Sequence, residues 1–165
     1  MSDEQFDTFS TPIDDRYLDD YTPGARYRFG EESVDGEEIM EFARRYDPQS
    51  IHTDPEAAAT GPFGGLIASG WQTAALMMRL FADNYLTANA SLASPGIDEL
   101  RWVRPLRPGD RLTLICETVE VRPSRSKPDR GVLTTKATLL NQDGDPVLTA
   151  TALNMVGRRP GADAG

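Results

Sequence analysis

The chain has 165 residues, 39% of them hydrophobic and 26% charged, with a formal net charge of −9. Length and composition fit one globular domain with a real core and argue against global disorder. The acidic balance disfavours a nucleic-acid partner, which calls for a basic face, and the single cysteine, Cys116, has no intrachain disulfide partner, as suits a reducing compartment.

The first residues, MSDEQFDTFS, are acidic and lack the basic and apolar pattern of a secretory leader. Residues 1–16 read as a loosely held, flexible arm. No run of about 18 apolar residues occurs, so no membrane span is expected, and the chain reads as soluble and cytoplasmic. Thr22-Pro23-Gly24 signals a turn before a short strand over Ala25–Phe29.

Glu37–Tyr46 reads as a helix, because Ile39, Phe42, Ala43 and Tyr46 fall at i, i+3, i+4 and i+7. Two acidic residues, Glu37 and Glu38, occupy its first turn, where the helix dipole favours them. Pro48 forces Asp47 out of the helical region, so the helix ends near Tyr46 and Asp47–Thr53 reads as a loop. Asp54 suits an N-cap and Pro55 a first helical position, which opens a second short helix.

After the Gly61–Gly65 break comes the longest apolar segment, Leu66–Leu86. Ile67, Trp71, Ala74, Ala75, Met78, Phe81 and Tyr85 follow a helical period, while Leu66, Leu76, Met77 and Leu80 fall off it. A helix apolar on most sides is a buried one, so it is expected at the centre of the molecule. The remainder reads as strands over Ile97–Arg104, Arg111–Val121, Gly131–Asn141 and Pro146–Gly157, rich in Val, Leu, Ile and Thr. Asp143-Gly144-Asp145 is a hairpin signal. Four long strands after one buried helix predict an α+β domain, a curved antiparallel sheet wrapped around that helix, over residues 17–157. Residues 158–165 read as a disordered tail.

His52 is the only histidine. A lone histidine is more often a surface or satisfied core residue than a catalyst, but Asp47 lies five residues before it on a loop kinked by Pro48. A carboxylate and an imidazole on one short loop can converge on one water and move protons near neutral pH. Ala68-Ser69-Gly70 stands where the apolar helix starts. Backbone N–H groups there have no intrahelical partner and carry the dipole behind them, so Gly70 offers a donor for a carbonyl oxygen that gains enolate character. Glycine there equally suits close packing of helix on sheet. With one His and one Cys no structural zinc site is expected, and no Gly-x-Gly-x-x-Gly fingerprint implies a dinucleotide cofactor. Arg122, Arg125, Lys127 and Arg130 cluster in one segment that reads as a solvated loop.

The run FARRYDPQSIHTDPEAAATGPFGGLIASGWQTAALMMRL, Phe42–Leu80, resembles the signature of MaoC-like dehydratases and R-specific enoyl-CoA hydratases. Its ordered parts are Asp47, His52, Asp54-Pro55, Phe63-Gly64 and Ile67-Ala68-Ser69-Gly70. RWVRPLRPGDRL, Arg101–Leu112, resembles the family's strand followed by a Pro-Gly-Asp element, and DDYTPG resembles the start of such domains. The likeness covers roughly Tyr17–Gly157 and departs at Gln49, Ser50 and Ser69, where many members have asparagine, proline and histidine.

The resemblance implies a single hot-dog domain, usually dimeric, that hydrates or dehydrates an enoyl or 3-hydroxyacyl thioester of CoA or acyl-carrier protein. It implies that Asp47 and His52 handle the water and that the Gly70 N–H holds the thioester oxygen. From the residue inventory, no cofactor and no metal are expected. A pocket for the acyl chain is expected from Phe63, Ile67 and Trp71. A hot-dog acyl-CoA thioesterase and a non-catalytic acyl-binding subunit are the alternatives. A homodimer is expected because one such sheet leaves an open edge.

Overall fold

A computed structural model of the protein describes residues 5–162. Its centre is a five-stranded, wholly antiparallel sheet in the order β1-β3-β4-β5-β2. The strands are β1 (Arg26–Ser33), β2 (Ser91–Trp102), β3 (Arg111–Pro123), β4 (Arg130–Leu140) and β5 (Pro146–Gly157). Between β1 and β2 run α1 (Gly36–Tyr46), the short α2 (Ser50–Thr53) and α3 (Pro55–Ala59), and the long α4 (Gly70–Asn84). This is the curved sheet with one long helix expected of a hot-dog domain. None of the helices among the described residues is long and apolar enough to cross a membrane.

The strands alternate as one buried face requires. In β5, Leu148, Ala150, Ala152, Asn154 and Val156 are buried, and between them lie partly exposed residues. Leu112, Leu114 and Cys116 of β3 and Leu133, Ala137 and Leu139 of β4 complete that face, all of them fully buried. The β4–β5 hairpin closes where Asp143-Gly144-Asp145 predicts it. Asn141 Oδ1 accepts the N–H groups of Asp143 and Asp145, and Gly144 takes φ +79°.

The helix α4 starts at Gly70, within the Ala68-Ser69-Gly70 segment expected to open it, and the stretch Leu66–Ser69 ahead of it runs extended and is bonded on both sides. The Ile67 N–H reaches the Ile51 carbonyl at 3.3 Å and the Ala68 N–H reaches the Leu106 carbonyl at 2.8 Å. The buried face overlaps the expected stripe only in part, at Phe81 and Tyr85. Thr73, Met77, Leu80 and Phe81 pack inward, whereas Trp71 and Met78 are 60% and 43% exposed. A helix laid on one sheet buries one stripe; in this chain Trp71 and Met78 lie outside it.

Smaller differences have local causes. The loop expected over Asp47–Thr53 contains a helical turn, α2, whose C-terminal Asp54 N–H bonds the Ser50 carbonyl. Asp54 caps α3 as predicted, accepting from the Glu56 and Ala57 N–H groups, with Pro55 leading the helix. Strand β2 begins at Ser91, well before Ile97, and accommodates Pro95 through register shifts against β5. An edge strand tolerates a residue without an N–H. Strand β1 runs on past Phe29 to Ser33 through a bulge at Gly30, where a side-chain carbon would stand 2.8 Å from the Leu112 carbonyl oxygen.

The segment expected to be a loosely held arm is anchored over much of its length; residues 1–4 lie outside the described residues. The Asp7 N–H bonds the Arg26 carbonyl. Phe9 stacks on Tyr27 with centroids 4.0 Å apart, and the Arg16 guanidinium lies over the Phe9 ring. Arg16 is buried and donates to the Asn84 and Tyr85 carbonyls at 2.9 and 2.7 Å, closing the C-terminal end of α4. Likewise, the first residues of the expected disordered tail are tied back: Arg158 bonds Asp19, and Arg159 bonds Asp15 and Asp20. Residues 163–165 lie outside the described residues.

Candidate active site

Three chain segments meet at one end of the sheet: the turn after α1, the extended lead into α4, and the stretch that follows β2. Between them lies a cleft of about 430 Å³, lined by Asp47, Gln49, His52, Phe63, Ile67, Gly70, Trp71 and Trp102 among others. All six residues singled out from sequence, Asp47, His52, Gly70, Phe63, Ile67 and Trp71, border this one cleft.

Asp47 ends α1 with φ −152° and ψ 69°, the departure from helix that Pro48 demands. Its carboxylate is gripped at both oxygens. Gln49 Nε2 donates to Oδ1 and the Ser69 hydroxyl donates to Oδ2, each at 2.7 Å. Those two hydrogen bonds, with Gln49 the larger influence, hold the carboxyl below the usual carboxylate range against the opposing effect of burial.

His52 is 5% exposed. Its Nδ1 lies 2.7 Å from the Ile67 carbonyl oxygen. A carbonyl only accepts, so the ring carries a proton on Nδ1, and in the neutral ring the Nε2 lone pair is free. Nε2 stands 3.5 Å from Asp47 Oδ2. Two acceptors side by side can accept the two hydrogens of one water molecule placed against them.

Gly70 is the first residue of α4, with Ser69 as N-cap. Its N–H belongs to the set that a helix leaves without an internal acceptor. Its carbonyl accepts the Trp102 indole N–H at 2.7 Å. A side-chain carbon on Gly70 would stand 2.5 Å from the Trp102 ring, so glycine is what allows the indole to lie there. Trp102 meets Trp71 edge to face, with centroids 5.3 Å apart. Phe63 forms another part of the wall and is held in place by Arg107, which donates to its carbonyl.

Sequence reading missed Gln49 and Ser69 as holders of the carboxylate and Trp102 as part of the wall. Their roles depend on contacts between residues far apart in the chain. The basic residues Arg122, Arg125 and Lys127 fall at the far end of the sheet. The pairings Pro123 with Gly131 and Arg130 with Gly157 mark that end, whereas Trp102 pairs with Leu148 at the end bearing the cleft. Among the described residues, no group of three or more His, Cys, Asp or Glu is gathered to hold a metal.

Known proteins share this arrangement of sheet, helix and sequence. The structure is similar to that of a MaoC-like dehydratase from Rhodospirillum rubrum, with a TM-score of 0.82 and 41% identity, covering 88% of this chain and 99% of that one. In sequence the chain is 33% identical over 125 residues to the uncharacterized protein YdeM of Bacillus subtilis, spanning 76% of this chain and 87% of that protein. It is 38% identical over 91 residues to the 3-hydroxyacyl-thioester dehydratase Z of Mycobacterium tuberculosis, spanning 54% of this chain and 60% of the relative. Residues 20–140 match the MaoC-like domain model, a stretch that holds α1 through α4 and most of the sheet, and the chain therefore belongs to the MaoC-like domain family.

Proposed function

We propose that this protein is a hydratase/dehydratase that adds or removes water across the 2,3 bond of an enoyl or 3-hydroxyacyl thioester, carried on CoA or acyl-carrier protein. The observation that carries the reading is the convergence of Asp47, His52 and the start of α4 on one cleft with apolar walls. In the hydration direction a water lies between His52 Nε2 and Asp47 Oδ2. Its oxygen bonds to C3 of the enoyl group while His52 Nε2 takes a proton from it. The electrons of the 2,3 bond move into the thioester, whose oxygen accepts from the Gly70 N–H as negative charge develops. The proton taken up by His52 Nε2 then passes to C2, which returns the imidazole to its neutral form, and dehydration is the reverse path.

The division of labour follows from the hydrogen bonds. Asp47 is already stabilised as a carboxylate by Gln49 and Ser69, which makes it the weaker base and the orienting partner. The Nδ1 proton of His52 is committed to Ile67, so Nε2 is the nitrogen that exchanges protons. Phe63, Ile67 and Trp71 supply apolar surface for the acyl group.

A second copy of the chain completes the assembly in this reading. β2 is an edge strand of 12 residues, exposed along nearly all its length, with Leu92, Ile97 and Trp102 each about half exposed. A long apolar edge of this kind is a template for pairing. The stretch following β2 borders the cleft, so a homodimer joined along β2 would bring its second chain to the cleft mouth.

The test is loss of enoyl-thioester absorbance with crotonyl-CoA and octenoyl-CoA, for wild type and Asp47→Asn in parallel, with thiol release followed in the same samples. Hydration by the wild type that collapses in Asp47→Asn supports the proposal. Thiol release without hydration would replace it with a thioesterase. A folded wild type that does neither with a panel of short, long and branched thioesters would overturn it in favour of acyl binding without catalysis.

A further inference from the structure

Ser69 touches both halves of the cleft and reacts with neither. Its hydroxyl donates to Asp47 Oδ2 at 2.7 Å and accepts the Trp71 N–H at 3.3 Å. The amide only donates and the carboxylate only accepts, so the single hydroxyl proton points at Asp47. The side chain is fully buried. Gln49, which holds the other carboxylate oxygen, comes from the same turn as Asp47 and moves with it. Ser69 comes from the other half, adjoining Gly70, and lies 22 residues away in sequence.

The backbone bonds of the lead into α4 go to Ile51 and to Leu106, beyond β2. They leave the Asp47 side chain to find its own direction. A carboxylate at a helix end has free χ angles, and an error of about an ångström in placing a catalytic group is costly. One short buried hydroxyl fixes the Asp47 carboxylate against the residue that carries the oxyanion donor.

We propose that Ser69 is a positioning residue whose hydroxyl sets the Asp47 carboxylate relative to the Gly70 N–H, so that both act on the same bound acyl group. The assignment rests on the hydratase reading above. It predicts a specific loss: binding is retained, because Ser69 does not face the acyl group, and turnover falls because the carboxylate is no longer aimed or held charged.

The experiment uses the full chain with Ser69→Gly, which removes the hydroxyl and leaves a residue tolerated at an N-cap, alongside Ser69→Thr, which restores it. Folding is checked by circular dichroism. In parallel, the Asp47 carboxyl is titrated by ¹³C NMR, assigned by its disappearance in Asp47→Asn. The expected result for Ser69→Gly is a kcat about ten- to a hundredfold lower, the effect of one hydrogen bond to a charged group. KM should stay within about twofold, as for an interaction not used in binding. The acid limb of the kcat profile and the Asp47 titration midpoint both move to higher pH, and Ser69→Thr recovers most of the loss. A folded Ser69→Gly with wild-type kcat, or with an unmoved Asp47 midpoint, overturns the proposal. So does a loss that Ser69→Thr does not restore. If the wild type hydrates no enoyl thioester, it is the hydratase reading that fails. The NMR titration then decides the Ser69 clamp alone: a raised midpoint in Ser69→Gly upholds it and an unchanged one removes it.

Discussion

The Trp102 indole lies against Gly70, donating its N–H to the Gly70 carbonyl at 2.7 Å and filling the space a side chain would need. Gly70→Ala therefore sets two effects against each other. Alanine favours a helix over glycine by about 1 kcal/mol, while the displaced indole loses a hydrogen bond of about 1 kcal/mol. The melting temperature should change little. The indole of Trp102 must swing out, which a red shift in tryptophan fluorescence would report, and enoyl hydration should fall by at least about tenfold as the methyl group crowds the donor. Unchanged fluorescence with full activity would show that the indole contact is incidental.

The grip on Asp47 has a pH signature. Hydrogen bonds from Gln49 first and Ser69 second hold its carboxyl below the usual range. A carboxyl with a depressed folded value contributes stability that is complete above the unfolded value of about 3.9 and is lost as pH falls through the folded one. Gln49→Ala should raise the folded value toward the unfolded one, so that the acid limb of activity appears at higher pH, while the fall in thermal stability on acidification becomes smaller because Asp47 contributes less of it. Profiles of the two proteins from pH 3 to 7 that superimpose would refute this; that interval is about the window in which carboxylates titrate.

Edge strand β2 sets a third expectation. With Leu92, Ile97 and Trp102 half exposed on an edge strand, light scattering at micromolar concentration should give the mass of two chains. Ile97→Lys places a charge on the edge, a device that blocks strand pairing, and should give a folded monomer with lower hydratase activity. A monomeric wild type would remove the dimer from the reading while leaving the cleft unaffected.

Arg16 provides a test of the fold away from the cleft. It is buried, it bonds two carbonyls at the end of α4, and it is covered by Phe9. Arg16→Met keeps the length but leaves the Asn84 and Tyr85 carbonyls short of a donor. The expected cost is about 2–4 kcal/mol in urea unfolding, with little change in KM. A cost below about 0.5 kcal/mol, the size of an ordinary surface substitution, would show that the Arg16 bonds contribute nothing to stability.

Much of this protein was determined by local sequence. Pro48 after Asp47 ends α1 and turns the carboxylate out of the helix. Asp54 and Pro55 start α3, and Asp143-Gly144-Asp145 closes the last hairpin. These effects act over a few residues, through fixed φ values, missing donors and side-chain caps, so spacing alone reveals them. Alternating Val, Leu and Thr likewise marked β3, β4 and β5 to within a few residues.

Tertiary structure decided what depends on residues far apart in the chain. Helical periodicity in Leu66–Leu86 is compatible with several buried faces, and only packing on the sheet selected Thr73, Met77, Leu80 and Phe81 over Trp71 and Met78. The extended lead at Leu66–Ser69 exists because Ile51 and Leu106 offer it backbone partners. Arg16 and Phe9 look like part of a polar arm until the end of α4 and the ring of Tyr27 are brought to them. Nor does any local pattern join Ser69 to Asp47 or Trp102 to Gly70. Each of those hydrogen bonds joins residues far apart in sequence, so it depends on the path of the whole chain between them.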